Sequence, residues 1–416
     1  MTINKLKVTN FKSFKELEID LGKFNILIGA NASGKSNFIK IFDFLRNIAN
    51  SGLDNAISME GGIEYLRNIN VGKSNDLSVN ITSEFDVTIG TETPDGFYGM
   101  RVLKTIYNFG LEFSNRGFKY KIVNEKLEQK CDFIRLIKGG KGIKETEKIG
   151  TGEIILSRID GKLNIEFNKP DEVPIKLADV FPPFLRAEKI APDTLLLENP
   201  FFIIFPLSRV FRDIAIYDFD PRQPKKATPI TGKAELEEDG SNLSIVLKNI
   251  IEKADKKRKL FNLVKDLLPF ISDLNITRVA DKSLLFNLRE IYSRKHDLPA
   301  SLISDGTINI TAIIIALYFE NKPLTIIEEP ERNIHPYLIS KIINIMKEAS
   351  KTKQIIVTTH NPEIVKYAGI ENLLLVSRDK DGFSTIVKPS EKEEVQLFLR
   401  EEIGIDELFI KNFPGI

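Results

Sequence analysis

The chain has 416 residues, 42% hydrophobic and 28% charged, which suits two or three structural units with real cores and excludes a disordered or fibrous class. Lys and Arg total 59 against 58 Asp and Glu, and the net charge of +1 excludes a global pull toward nucleic acid or an anionic membrane. The one cysteine, Cys131, excludes an intrachain disulfide and cysteine zinc clusters, and fits a reducing cytosol.

Met1 to Asp20 alternates apolar and polar residues, without the apolar core of a secretory signal. The most apolar stretches, Pro200 to Phe211 and Ile308 to Phe319, fall short of the roughly 20 residues that span a bilayer, so the expectation is a cytoplasmic protein with no membrane partner. Lys5 to Ile19 reads as a strand and hairpin, and Phe24 to Ile28 as a short apolar strand ending at Gly29. From Asn37 to about Ala49, Phe38, Ile41, Phe42, Leu45 and Ile48 recur at helical spacing. The first segment is therefore 1–75, a strand, loop and helix.

Residues 76–181 read as an antiparallel meander, with runs such as Tyr107 to Val123 and Ile154 to Phe167 broken at Asp160-Gly161. Residues 182–274 read as a mostly helical insertion, with prolines in Asp220 to Pro229 and an amphipathic stretch from Leu243 to Leu268. In 275–416 a helix is expected from Gly306, a strand over Leu324 to Ile327, a helix from Pro336 and a strand over Gln354 to Thr358. Alternating strand and helix implies a parallel sheet. The tail offers a strand from Leu373, a turn at Asp381-Gly382 and a helix from about Glu391. The fold class is thus α/β, with a mixed parallel core sheet, an antiparallel β subdomain and a helical insertion.

Gly29, Ala30, Asn31, Ala32, Ser33, Gly34, Lys35 and Ser36 match a phosphate loop, and Asn37 opens the following helix. Small residues at Gly29 and Gly34 let backbone N–H groups wrap phosphates, while the helix turns its positive end toward them. Lys35 would neutralise β and γ oxygens, and Ser36 would ligate Mg²⁺. About 0.02 such matches arise by chance in a chain of this length. Glu328 and Glu329 stand at the C-terminal end of an apolar strand, where open α/β sheets carry their ligand groups. Glu328 would hold Mg²⁺ through its water shell, and Glu329 would orient and deprotonate the attacking water. His360 ends the strand Gln354 to Thr358 on the same edge, within reach of a γ-phosphate, whereas His296 and His335 read first as structural. Ser304, Asp305, Gly306 and Thr307 form a capped helix start with free N–H groups, a second anion site.

In order, GANASGKS, SDGT, LTIIEEPE and VTTHNP resemble the motifs of ABC-type ATPases of the SMC, RecF and overcoming-lysogenization-defect group, a P-loop NTPase head. VTNFKSFKELEIDLGKFNILIGANASGKSN, ISDGT and IEEPERNIHP look most like the RecF-like AAA15 or AAA21 ATPases. The resemblance covers both ends of the chain. It implies that Gly29 to Ser36 are Walker A, Glu328 the Walker B acid, Glu329 the catalytic glutamate, His360 the switch histidine, and Ser304 and Gly306 the signature. It also implies ATP and Mg²⁺ as ligands and a head-to-tail homodimer in which one copy's signature covers the other's γ-phosphate. Glu328 replaces the more usual aspartate, and Gln129 and Gln223 are both candidates for the glutamine loop. About 56 residues follow His360, too few for the fused nuclease of overcoming-lysogenization-defect proteins.

Two functions follow. One is an ATP-driven dimerising switch in DNA maintenance or antiphage defence, with Lys253, Lys256, Lys257, Arg258, Lys259, Arg222, Lys225 and Lys226 as candidate phosphate contacts, although interspersed acids and the lack of an aromatic platform favour a solvated helix face and loop. The other is an ATP-gated scaffold or sensor that controls a separate effector protein without touching DNA, which net neutrality favours. A transporter subunit fits less well, because about 270 residues separate Walker A from the signature.

Overall fold

A computed structural model describes residues 2–72, 75–114, 120–139, 142–159, 162–180, 191–198, 206–280, 282–293 and 295–391. The Asp160-Gly161 turn and the helix expected after Glu391 lie outside these residues.

The chain opens with β1 (Thr2–Phe11) and β2 (Phe14–Asp20), then β3 (Phe24–Ile28), the phosphate loop and α1 (Lys35–Ser51). Short helices α2 (Leu53–Met59) and α3 (Ile63–Leu66) lead to β4 (Leu77–Thr93), β5 (Gly96–Phe113), β6 (Tyr120–Gly139), β7 (Gly142–Ile159) and β8 (Lys162–Asn168). After α4 (Leu177–Val180) and α5 (Pro206–Arg212) come β9 (Ala215–Tyr217), β10 (Thr228–Pro229), α6 (Leu243–Ile251) and α7 (Ala254–Leu267). The rest is β11 (Ile271–Val279), β12 (Ser283–Glu290), β13 (Leu298–Pro299), α8 (Asp305–Tyr318), β14 (Leu324–Glu328), α9 (Pro336–Ser350), β15 (Gln354–Thr359), α10 (Pro362–Ala368), β16 (Leu373–Arg378) and β17 (Ser384–Val387), which pairs with β16.

Two compact units result. The first comprises Met1–Gly22, Ser36–Ile214 and Ser377–Ile386. Its seven-stranded sheet runs β2-β1-β4-β5-β6-β7-β8, so the opening hairpin and the later meander form one antiparallel surface. Even alternation in β1 buries Leu6 and Val8 on one face, and Phe11 meets Phe44 of α1 with ring centroids 5.9 Å apart. Ser384 returns from the far end of the chain, its N–H donating to the Ser13 carbonyl at 2.9 Å.

The second unit holds Lys23–Lys35 and Ala215–Val376, with the chain from Val387. Five parallel strands stand in the order β16-β3-β15-β14-β9. β3 and β15 are buried along their whole length, as expected of central parallel strands covered on both faces. α8 packs into this core with Ile308 to Leu317 all buried. Its isoleucines suit a strand, yet Ser304 accepts from the N–H of Thr307 and starts a helix, and complete burial overrides the propensity.

The units cut across the four segments read along the chain. Ala215–Tyr217 lies within 182–274, read as an insertion, but it is an edge strand of the parallel sheet, with Thr325 opposite Ala215. A three-residue strand is too short for its periodicity to show in sequence.

Candidate functional site

β3 delivers the phosphate loop. A Cβ on Gly29 would stand 2.2 Å from the carbonyl oxygen of Val376, so only glycine lets β3 end beside β16. Ala32 (φ 62°) and Gly34 (φ 120°) carry the chain through left-handed backbone, while Ala30, Asn31 and Ala32 are exposed at the tip. The Lys35 ammonium donates to the carbonyls of Gly29 at 2.8 Å and Ala30 at 2.9 Å. Burial pushes its pKa down, and the carboxylates of Glu329, Glu328 and Glu331 oppose that shift. The lysine therefore lies within electrostatic reach of all three acids. α1 has no acid in its first turn to neutralise its positive end. Ser36 is exposed there, and the Asn37 amide donates to the Ser13 hydroxyl at 2.8 Å in the first unit.

Strand register brings the acids to the same edge. Glu328 lies opposite Thr358 in β15, and Thr359 opposite Ile28 in β3. The N–H of Glu329 donates to the Thr358 carbonyl at 2.9 Å, and the residue then turns away with φ 42°. One Glu329 oxygen lies 2.7 Å from Nδ1 of His360, and the other accepts from Arg332 Nη2 at 3.1 Å. Burial raises the Glu329 pKa, but the contacts with His360 and Arg332 outweigh it and hold the carboxyl below its ordinary range. Arg332 Nη1 also donates to Asp218 at 2.9 Å, just past β9. Glu331 accepts a short hydrogen bond from the Thr359 hydroxyl, its other oxygen is buried without a hydrogen-bond partner, and burial raises its pKa.

Ser304 caps α8, and its hydroxyl lies 2.9 Å from that of Thr307. Asp305 pairs with Lys225 at 2.5 Å. A Cβ on Gly306 would come within 2.5 Å of the Asn333 carbonyl oxygen. Among the described residues, these partners lie on the loops around Lys225 and Asn333, not on the phosphate loop of the same chain.

A family model described as "AAA domain, putative AbiEii toxin, Type IV TA system", AAA_21, matches residues 24–366. The chain belongs to this family. AAA_21 membership, with this loop and sheet order, places it among P-loop ATPases. A comparison with curated proteins finds no match.

Solved structures similar to this AAA_21 chain include an SMC head bound to the C-winged helix domain of ScpA, 19% identical over 93% of this chain and 97% of that one, with a TM-score of 0.46. Another is the SMC head domain from Thermotoga maritima, 16% identical over 93% and 99%, TM-score 0.43. A third is an SMC head with an extended coiled coil bound to the C-terminal domain of ScpA, derived from Pyrococcus furiosus, 17% identical over 96% and 98%, TM-score 0.47.

Of the remaining candidates in this AAA_21 chain, Gln129 is fully buried in β6, its amide donating to Thr105, which removes it from contact with a nucleotide. Gln223 sits on the loop beside Asp220. Several basic candidates are engaged internally: Arg222 with Asp220, Lys225 with Asp305, Lys257 with Asp273 and Arg258 with Asp255, while Lys259 lies over the rings of Tyr318 and Phe319. His335 caps α9, accepting from the Tyr337 N–H. Sequence reading missed Arg332, Glu331, Thr359 and Asp218. Glu331 and Arg332 stand in the motif IEEPERNIHP and Asp218 follows a short apolar run, the pattern that marked Glu328.

Proposed function

We propose that this chain binds ATP with Mg²⁺ and hydrolyses it, and that two copies pair head to tail so that Ser304 to Thr307 of one complete the site of the other. The observation that carries the reading is the parallel register that ends β3, with its phosphate loop and Lys35, beside Glu328 and Thr359, with His360 held 2.7 Å from Glu329. Gly29 to Asn37 would wrap the triphosphate with backbone N–H groups, and Lys35 would exchange its two loop carbonyls for phosphate oxygens. The donor set fits magnesium, which takes one or two protein oxygens and otherwise water and phosphate. Among the described residues no cluster of three or more acids, histidines or cysteines forms a protein-only cage. Ser36 and Glu328 would hold the ion, which supplies charge neutralisation on the phosphate oxygens. Glu329, ionised near neutral pH, would accept a proton from water while His360 holds its first oxygen.

A second reading, a nucleotide-gated scaffold or sensor that controls an effector protein without binding DNA, draws on the ion pairs that occupy Arg222, Lys225, Lys257 and Arg258. The family description extends the setting from antiphage defence to toxin–antitoxin systems. Phosphate release from ATP by the purified chain, with magnesium and with a chelator, tests the core claim. No release in magnesium, together with no nucleotide binding, would remove it. DNA binding titrated against salt separates the two roles, since direct phosphate contacts weaken steeply as salt rises.

A further inference from the structure

Arg332 is attached at three points. Its guanidinium bridges Glu329 (3.1 Å) and Asp218 (2.9 Å), and its backbone carbonyl accepts from the side-chain amide of Asn309 at 2.7 Å. The turn that carries it begins at Glu329 (φ 42°) and ends at Asn333 (φ 62°), two left-handed residues that are not glycine. Such backbone persists only where its surroundings impose it. At its Asn333 end those surroundings include α8. Asn309 is 3% exposed among buried isoleucines, a costly place for an amide unless it is hydrogen-bonded. Thr311, another polar residue of the helix interior, bonds back to the Thr307 carbonyl of its own helix. One turn earlier, Gly306 rests against the Asn333 carbonyl with no room for a Cβ.

We propose that Arg332 is a positioning residue through which the N-terminal end of α8, carrying Ser304 to Thr307, sets the placement of the Glu329 carboxylate. A rigid helix held to the turn through Asn309 and Gly306 passes a shift at its capped end to the Arg332 backbone. The guanidinium, spread between Asp218 and Glu329, passes it to the carboxylate. A partner engaging the helix start would therefore be felt at Glu329 of the same chain. The catalytic part of this inference rests on the ATPase reading; the mechanical part does not.

The test uses the full chain with Arg332→Ala, Arg332→Lys and Asn309→Ala. Amide hydrogen exchange without nucleotide should accelerate at least tenfold across residues 329–334 in Arg332→Ala and Asn309→Ala, with less effect in Arg332→Lys. kcat for ATP should fall at least tenfold in the two alanine variants while KM stays within threefold, and Arg332→Lys should recover part of the loss. Unchanged exchange in both alanine variants overturns the link, and so does a wild-type kcat accompanied by accelerated exchange. Accelerated exchange in a chain whose wild type releases no phosphate upholds the link and removes the ATPase reading instead.

Discussion

His360 Nδ1 and Glu329 Oε1 stand 2.7 Å apart, joining the residue just past β15 to the residue just past β14. Thirty-one positions separate them in sequence, and parallel register closes the gap. A carboxylate held by a histidine on one oxygen and an arginine on the other is fixed in orientation by the chain's own side chains. Glu329→Gln keeps the shape and removes the proton acceptor, so phosphate release should fall by about 10²–10⁴-fold with ATP still bound. Nucleotide binding and single-turnover hydrolysis decide it. Wild-type turnover would assign the base elsewhere.

Lys35→Ala should act on binding instead. In the proposed binding mode two charge-assisted bonds to phosphate would be lost, at about 1.5–3 kcal/mol each, which corresponds to roughly two to four orders of magnitude in affinity. Equilibrium binding of a fluorescent nucleotide measures the loss. Affinity within threefold of wild type would show that the loop does not use its lysine on the nucleotide.

The phosphate loop and the acid pair were legible because each is a local pattern: glycines with a lysine after a strand, and carboxylates at an apolar strand's end. Sheet order was not. β9 is three residues long, and β1 joins β4 across the whole phosphate-loop segment, a pairing that alternation alone cannot assign. Arg332 was hidden for another reason. Its role arises from bonds to Asp218, 114 residues away, and to Asn309, 23 away, and a charged residue in a loop reads as solvated surface until those partners are placed.

Gly306→Ala isolates the packing of α8 against the Asn333 turn. Alanine favours helix over glycine by roughly 1 kcal/mol, so local propensity predicts stabilisation. The added methyl would meet the Asn333 carbonyl at 2.5 Å, and overpacking of this kind costs about 1–3 kcal/mol. Backbone oxygen does not move aside as a side-chain tip does, so the melting temperature should fall. A rise would mean that the Asn333 turn yields freely.

Glu125 makes the first unit sensitive to pH. Burial raises its pKa from 4.5 to about 7, despite Arg158 at 3.1 Å, the Tyr107 hydroxyl at 2.8 Å and the Leu196 N–H at 2.6 Å. Between those values the folded chain holds a proton that the unfolded chain has released. Stability should therefore be fully present below pH 4.5 and fall as pH rises toward 7, by at most about 1.4 kcal/mol per pH unit for this group. Glu125→Gln has nothing to titrate, and its urea midpoint should flatten across that window, leaving what Glu198, Glu331 and Asp76, also raised by burial, contribute. Hydrogen exchange in β6 measured at pH 5, 6 and 7 localises the effect to the sheet. An identical slope in Glu125→Gln would place the titrating proton on another residue.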